Sequence, residues 1–318
     1  MKRRSAKIFH RHSFKAMGSP CEIQLFAKNK VEAKRVTAIA IADVERLEAL
    51  YSRYRSTSFL SEINRIASIG GSIEVDAETA GLLNYAATCF EESDGLFDIT
   101  SGILRKAWHF DRHEVPDEKK VQSLLHKVGW QRLRWKPPLL EFPVSGMEID
   151  FGGVVKEYAA DRAAALCRTE GVLHGVVNLG GDIKIIGGRP DGSPWRIGVQ
   201  HPRSSGEYIT HIVLREGGVA SSGDYERCIK LDGQRYGHVL NPTTGWPVKF
   251  MASVTIVSDL CMLAGSASTI AMLKESEGPT WLEALGVPHF WVNVDGHSGG
   301  SLATPFAIGS EKNSHTSL

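Results

Sequence analysis

The sequence lacks several features that mark common classes of metal and nucleotide-binding proteins. It has five cysteines in 318 residues, widely spaced and without a Cys-x-x-Cys pair. Neither a zinc site nor a disulfide framework is therefore indicated, and reduced thiols in a cytosol fit this usage best. No Gly-x-Gly-x-x-Gly motif opens a helix, so the dinucleotide-binding fingerprint is absent as well.

The chain also lacks a strong charge of either sign. Lys and Arg total 37, Asp and Glu total 36, and the net charge is +1. This balance gives no broad basic surface for nucleic acid, so any phosphate binding has to be local. No apolar run is long enough to span a bilayer, and the basic N-terminal segment contains no apolar signal-peptide core and no lipid-attachment cysteine. We therefore expect a cytoplasmic protein without membrane insertion.

What is present is typical of a globular α+β protein. Hydrophobic residues make up 42% of the chain, enough for a large core. The segments 31–54, 76–92 and 154–169 repeat apolar residues at helical spacing, whereas 175–239 reads as five or six short strands separated by glycine-rich turns. Because strands follow one another without a βαβ rhythm, the pattern predicts mostly antiparallel sheets flanked by helices.

The domain organisation predicted from composition is simple. Residues 1–16 form a basic extension that is expected to be flexible, residues 17–306 a single domain, and residues 307–318 a flexible tail rich in Ser. The Pro-rich stretch 137–146 is a candidate internal seam. No internal repeat is found.

Two glycine-rich segments have the chemistry of anion sites. In Asn178-Leu-Gly-Gly-Asp182 the glycines follow an apolar strand and allow close backbone approach to a ligand, with Asp182 offering a carboxylate. The alternative is a glycine bulge in a sheet. In Asp150-Phe-Gly-Gly-Val-Val-Lys156 the glycines open a helix, where free amides suit a pyrophosphate and Lys156 adds a point charge. Here the alternative is an ordinary helix entry with a solvated lysine.

Two further segments place polar side chains on turns. Ser221-Ser-Gly-Asp-Tyr225 and His238-Val-Leu-Asn-Pro242 each follow an apolar strand, so their hydroxyls and imidazole are expected to be presented to a ligand. A histidine before Asn-Pro can equally serve only as a hydrogen-bonding group of the turn.

Taken in order, these segments and four others resemble the ApbE family, the FAD:protein FMN transferases. The ordered set is specific although each block alone is weak. The blocks are Met17–Ser19, Tyr51–Tyr54, Gly95–Thr100, Asp150–Lys156, Asn178–Asp182, Ser221–Tyr225, His238–Pro242 and Ala264–Thr269. The resemblance covers about four fifths of the chain, and it implies an ApbE-like (T-fold-like) domain.

The resemblance implies a function and a set of site residues. The implied reaction transfers FMN from FAD to a Ser or Thr hydroxyl of an acceptor protein and releases AMP. Asp182, Ser222 and His238 would lie near the nucleotide or its pyrophosphate, with Lys156 neutralising charge and His238 as candidate proton acceptor. The residues implied for the FAD site are Met17, Tyr54, Leu96, Phe97, Asp98, Asp150, Lys156 and Leu240.

The chain departs from the family pattern where the family binds magnesium. The implied ligands are the backbone carbonyl at Gly153 and the Asp and Thr of an Ala-Asp-x-x-x-Thr motif. Thr269 is kept, but Gly265 stands where the Asp is expected, and we predict weakened Mg²⁺ binding unless another acid substitutes. Asp259 is a candidate substitute. A smaller departure is Glu157 after Lys156, where the family frequently has Gly.

Three interpretations remain open at this stage. The first is an active flavin transferase with a modified metal site. The second is an FAD-binding protein or FAD pyrophosphatase that has lost transfer through Gly265. The third is a structural or interaction protein in which the glycine-rich turns are only turns.

Overall fold

The computed structural model describes residues 7–112 and 114–303. Residues 1–6 of the predicted extension and the predicted tail at 307–318 lie outside this described part. None of the described helices is both long enough and apolar enough to cross a membrane. The cysteines predicted to be reduced are all free thiols.

Helices and strands alternate in clusters along the chain. The α-helices are α1 (Lys30–Tyr51), α2 (Phe59–Ile69), α3 (Ala77–Glu92), α4 (Glu118–Leu125), α5 (Val155–Thr169), α6 (Cys261–Leu273) and α7 (Gly278–Leu285). The strands are β1 (Ile8–Ala16), β2 (Ser19–Ala27), β3 (Gly71–Glu74), β4 (Arg134–Lys136), β5 (Leu139–Phe142), β6 (Gly175–Leu179), β7 (Asp182–Gly187), β8 (Trp195–Gln200), β9 (Tyr208–Leu214), β10 (Gly218–Gly223), β11 (Cys228–Leu231), β12 (Gln234–Gly237), β13 (Met251–Ser258), β14 (His289–Asn293) and β15 (Ser298–Gly299). A 3₁₀ helix spans Ile99–Lys106.

Side-chain caps mark the starts of α2 and α3. Ser58 Oγ accepts a hydrogen bond from the Ser61 amide at 3.0 Å, and Asp76 Oδ1 accepts from the Thr79 amide at 2.7 Å. Each bond satisfies an amide that has no partner within its own helix. Helix α5 begins at Val155 without a side-chain cap. The predicted helices at 31–54, 76–92 and 154–169 all form, with ends shifted by only a few residues.

The main sheet confirms the predicted α+β class. Its eight strands run in the order β1-β2-β6-β7-β10-β13-β14-β15, and all of the pairings are antiparallel. Helices α1, α5 and α6 pack on one face. The β8–β9 hairpin covers the other face through a second apolar cluster that includes Trp195 and Ile197.

Two local predictions need correction. Residues 8–16, predicted to be a flexible extension, form β1 and pair with β2 along their whole length. This strand lies at the edge of the sheet and leaves most of its side chains in solvent, so it carries the charges that made it look like a tail. The region 175–239 contains seven strands instead of five or six, since Asp232-Gly233, both at positive φ, close an extra hairpin between β11 and β12.

The Pro-rich stretch 137–146 contains strand β5, the central strand of a small three-stranded sheet. Strand β5 pairs with β4 and with β3, which comes from a distant part of the chain. This sheet joins the segment to the helical region that precedes it. The seam itself stays a prediction.

Candidate functional site

Two adjoining cavities lie beside the first turn of α5. Their volumes are about 200 Å³ and about 360 Å³. We call them the first and second cavity. They meet at residues that line both, which are Arg105, Asp150, Gly152, Lys156, Glu226 and His238.

Most of the residues implied by the sequence for a nucleotide or metal line these cavities. Met17 and Tyr54 line the second cavity. The first cavity is lined by Leu96, Phe97, Asp98, Asp150, Gly153, Lys156, Asp182, Ser222, His238, Leu240 and Thr269. Gly265 and Asp259 line neither of them. Segments far apart in the sequence are thus brought together in one place.

Met17 reaches the second cavity because it lies in a tight turn. Residues Met17 and Gly18 form the two-residue connection between β1 and β2, with φ of 51° and 72°. Two positive φ values in succession are typical of a type I′ hairpin turn, whose twist matches that of the flanking strands. The turn fixes the direction of the Met17 side chain at the end of the sheet.

The loop before the 3₁₀ helix is held by its own side chains. Ser93 Oγ accepts a hydrogen bond from the Phe97 amide at 2.7 Å. Asp98 uses Oδ1 for the Thr100 amide at 2.8 Å and Oδ2 for the Trp130 amide at 2.9 Å. Both carboxylate oxygens of Asp98 are therefore occupied within the protein, so this residue shapes the cavity wall that carries Leu96 and Phe97.

Asp150 lies in a cluster of alternating charges between the two cavities. Its Oδ2 is 2.7 Å from Arg53 Nη1 and 3.5 Å from Arg105 Nη1, while Arg53 Nη2 is 2.9 Å from Glu148 Oε1. Burial acts to raise the pKa of Asp150, but the guanidinium groups of Arg105 and Arg53 outweigh it and hold that pKa below its usual value. Asp150 is ionised and fixed in position.

Lys156 and Asp182 form an ion pair across the first cavity. Lys156 Nζ is 2.9 Å from Asp182 Oδ2, and the Asp182 side chain is only 4% exposed. Burial acts to lower the pKa of Lys156, yet the carboxylates of Asp182 and Glu157 raise it above its usual value. The lysine is therefore a fixed positive charge at the N-terminal turn of α5, where free backbone amides add to the attraction for an anion.

Ser222 and Thr269 connect the sheet to α6. Ser222 Oγ lies 2.9 Å from Thr269 Oγ1 and 2.8 Å from Ser268 Oγ. Because β10 is pleated, Ser222 faces α6 while its neighbour Ser221 faces the opposite side and bonds to Thr255. The hydroxyl pair presents oxygen to the first cavity.

Two residues considered for the metal site, Asp259 and Gly265, lie outside the linings of both cavities. Asp259 is exposed on the loop before α6. Gly265 is buried within α6, and a Cβ atom built on it would lie 2.5 Å from Glu157 Cγ.

The donor set at the first cavity fits a hard divalent cation. Gly153, Thr269 and two acidic residues, Glu157 and Asp182, line this cavity, and oxygen ligands of this kind suit Mg²⁺. Within the described residues, no group of three or more His, Cys, Asp and Glu side chains is arranged to hold a metal. A cation here would therefore take its remaining ligands from substrate oxygens and water.

Comparisons with known proteins agree with this geometry. The model of the ApbE family matches residues 17–291. The chain belongs to the ApbE family. The predicted family resemblance is thereby confirmed.

Several proteins of this family are similar along most of the chain. The FAD:protein FMN transferase of Salmonella typhimurium is 30% identical over 256 residues, covering 76% of this chain and 73% of the relative. The transferase of the same name from Vibrio cholerae is 28% identical over 252 residues, covering 77% and 75%. A crystal structure of an ApbE protein from Thermotoga maritima superposes with a TM-score of 0.83 at 29% identity, covering 92% of this chain and 97% of the other. The flavin transferase ApbE from Vibrio cholerae gives 0.81 at 25% identity, covering 93% and 97%.

Sequence reasoning missed several charged residues of this ApbE-type site. Arg53 lies inside the Tyr51–Tyr54 block, but only Tyr54 was taken from it, and Tyr54 is 77% exposed at the rim of the second cavity. Arg105 and Glu226 line both cavities and carry no motif. The one available signal was the presence of Arg53 between two aromatic residues at the end of an amphipathic helix.

His238 is held in its neutral form. Its Nδ1 atom is buried and has no hydrogen-bond partner among the described residues. Burial, together with Arg105 and Arg227, lowers the pKa of His238 to about 4. The imidazole is therefore neutral at pH 7 and has a lone pair that can accept a proton, but the same low pKa makes it a weaker base than an exposed histidine.

This low pKa predicts a specific pH dependence of stability. Between pH 6.5 and pH 4 the unfolded chain binds a proton at His238 that the folded chain does not, so the free energy of unfolding falls as the pH is lowered. We expect His238→Asn to remove this effect. Relative to the variant, the wild type should lose about 1–2 kcal/mol between pH 7 and pH 5 in urea titrations. His12→Asn, at an exposed position, is the control, and parallel curves for wild type and His238→Asn would contradict the assignment.

Proposed function

We propose that this chain is an FAD:protein FMN transferase that uses the two cavities as its FAD site. The observation that carries the proposal is the convergence of Asp150, Lys156, Asp182 and His238 on adjoining cavities in a member of the ApbE family. The curated relatives of this family that match the chain are named for this activity.

The reaction requires one bond to form and one to break at phosphorus. A Ser or Thr hydroxyl oxygen of the acceptor protein bonds to the phosphorus of the FMN half of FAD. The bond from that phosphorus to the bridging oxygen breaks, and AMP leaves. The hydroxyl proton passes to His238, whose neutral ring lines both cavities.

Lys156 provides the main positive charge of the protein at this site. It is fixed by Asp182 at 2.9 Å and lies where both cavities meet, so it faces the pyrophosphate of a bound FAD. Phosphoryl transfer is catalysed largely by position and by charge neutralisation. When bound by Gly153, Thr269 and substrate oxygens, Mg²⁺ would add neutralisation of the pyrophosphate charge.

The competing candidate is an FAD pyrophosphatase or FAD-binding protein that has lost transfer. It was suggested by Gly265 in the place of an acid. The names of the matching relatives favour transfer, and the first cavity still contains two buried carboxylates, Glu157 and Asp182. The acceptor protein is defined here by chemistry alone, as one with an accessible Ser or Thr.

The decisive test is incubation of the protein with FAD, MgCl₂ and an acceptor protein that presents a Thr in a flavinylation-type sequence. We expect a mass increase of the acceptor equal to one FMN minus water, together with one AMP per flavin attached. An acceptor in which that Thr is replaced by Val is the matched control. Release of FMN and AMP without any covalent flavin would favour the pyrophosphatase and reject transfer.

A further inference from the structure

The two departures from the family pattern, Glu157 and Gly265, meet in space. A Cβ atom built on Gly265 would lie 2.5 Å from Cγ of Glu157 and 2.9 Å from its Cδ and Oε1. Non-bonded contacts of a Cβ atom below 3.0 Å are essentially never seen in proteins, and both residues are buried in helices. A side chain at position 265 and the present position of the Glu157 carboxyl therefore exclude each other.

The Glu157 carboxyl has no protein group that compensates it fully. The residue is only 8% exposed, and its Oε2 atom is buried without a hydrogen-bond partner among the described residues. An unsatisfied carboxylate oxygen in the interior is costly. The carboxyl nevertheless lies in the wall of the first cavity together with Gly153 and Thr269.

The acidic side chains around Glu157 also favour a bound cation. Asp182, 3% exposed, is a second buried acid that lines the same cavity as Glu157. Lys156 is the adjacent base, and it is paired with Asp182. Two buried carboxyls face one ammonium, so both can be ionised together only beside a further positive charge, which a bound metal ion would supply.

Helix geometry explains how two consecutive residues of α5 contact two different elements. Lys156 and Glu157 are consecutive in the first turn of α5, so their side chains leave the helix about 100° apart. Lys156 is directed to Asp182 on β7, and Glu157 to Gly265 on α6. One turn of α5 thus delivers a positive and a negative group to the same cavity.

From these contacts we propose that Glu157 supplies the carboxylate ligand of the divalent cation, with Gly265 providing the space for it. The carboxylate has moved from α6 to the first turn of α5, and the charge of the site is preserved. This inference rests on the proposed function, since the cation is the one that accompanies the pyrophosphate. The ligand class is a hard divalent cation, Mg²⁺ or Mn²⁺, in complex with a diphosphate.

The test measures metal binding without turnover. Wild type, Glu157→Gln and the control Glu118→Gln are titrated with MnCl₂ in the presence of ADP, and free Mn²⁺ is counted by electron paramagnetic resonance. Glu118 is an exposed residue in the first turn of α4, so its variant loses the same charge outside both cavities. We expect Glu157→Gln to lower the affinity of the protein for Mn²⁺ by about tenfold or more. The control should bind as the wild type does.

A reciprocal exchange keeps the proposal testable if loss of the carboxyl alone disturbs folding. Glu157→Gly is compared with the double variant Glu157→Gly, Gly265→Asp, which moves the carboxylate to α6. We expect the double variant to bind Mn²⁺ about tenfold more tightly than Glu157→Gly. The proposal is overturned if Glu157→Gln binds Mn²⁺ like the wild type, or if the double variant gains nothing. The first of these results would instead favour a protonated Glu157 that donates a hydrogen bond to Asp182.

This failure is distinguishable from failure of the proposed function. Wild-type protein that attaches FMN to the acceptor while Glu157→Gln keeps full Mn²⁺ affinity overturns the ligand assignment alone. Wild-type protein that binds Mn²⁺ with ADP through Glu157 but never attaches flavin supports the ligand assignment and overturns transfer.

Discussion

Replacing Lys156 with Ala is expected to reduce FMN transfer by at least about 10³-fold. The ammonium group is the basic side chain paired with Asp182, at 2.9 Å, and it lies where the two cavities meet. Without it, the buried carboxyls of Asp182 and Glu157 would face the anionic pyrophosphate with no adjacent positive charge from α5. The variant therefore loses attraction for the transition state and gains repulsion.

The loss should appear in turnover more than in folding or binding. AMP release, followed by liquid chromatography, and covalent flavin, followed by mass, are measured beside FAD affinity from flavin fluorescence. Part of the FAD affinity should persist, because Met17 and the loop at Leu96 line the cavities independently of Lys156. Lys119→Ala, an exposed lysine on α4, is the matched control. Unchanged AMP release in Lys156→Ala would remove this residue from the mechanism.

The sequence predicted the helices well because their signals are local. Helix α1 buries Ala33, Val36, Ala40 and Val44 at three- and four-residue spacing, which is visible without a structure. Its start is marked by the cap residue Asn29, whose Oδ1 accepts a hydrogen bond from the Glu32 amide. Antiparallel pairing of the later strands was also accessible, since short connections leave few alternatives.

Strand β1 was missed because its stability comes from a partner and not from its own pattern. Residues 8–16 include exposed Arg11 and His12, and only Ala16 is buried. An edge strand of this kind is defined by hydrogen bonds to β2. A charged segment gives no periodic sign of such pairing.

The site was predictable as a set of segments but not as a network of contacts. The blocks around Asp150 and Lys156 were recognised from backbone chemistry at a helix start. The pairing of Arg53 with Glu148 joins residues far apart in the chain, and nothing local specifies it. The same holds for Glu157 and Gly265. Each departs from the family pattern at its own position, and only the contact between the two positions in the structure shows that the departures are related.

That contact also bears on position 265, where the family pattern has an Asp. In the structure the added Cβ would lie 2.5 Å from Glu157 Cγ. Introducing Asp at 265 without removing Glu157 would force two carboxyls into one buried space. An Asp at 265 therefore requires the Glu157 side chain to leave its present position, by a shift or by substitution.

Arg53→Met is expected to lower the free energy of unfolding by about 2–4 kcal/mol. Arg53 is 16% exposed at its side chain and joins Glu148 at 2.9 Å to Asp150 at 2.7 Å. Met keeps much of the apolar volume of the Arg side chain, so the fall in the free energy of unfolding measures the effect of removing the guanidinium charge. The loss of stability stays below that expected when buried carboxylates lose every positive partner. Arg105 Nη1 still lies 3.5 Å from Asp150 Oδ2, and Lys106 Nζ still lies 2.6 Å from Glu148 Oε2.

The control for this prediction is an arginine pair in solvent. Arg134 Nη1 is 3.0 Å from Glu141 Oε1, but the side chains are 71% and 36% exposed, and exposed pairs contribute little. Arg134→Met should therefore change the free energy of unfolding by no more than about 1 kcal/mol in urea titrations. If the two variants were equally stable, the Arg53 cluster would not stabilise the fold. A larger loss for Arg53→Met, accompanied by weaker FAD binding, would mean that the same buried charges hold the chain together and fix Asp150 between the two cavities.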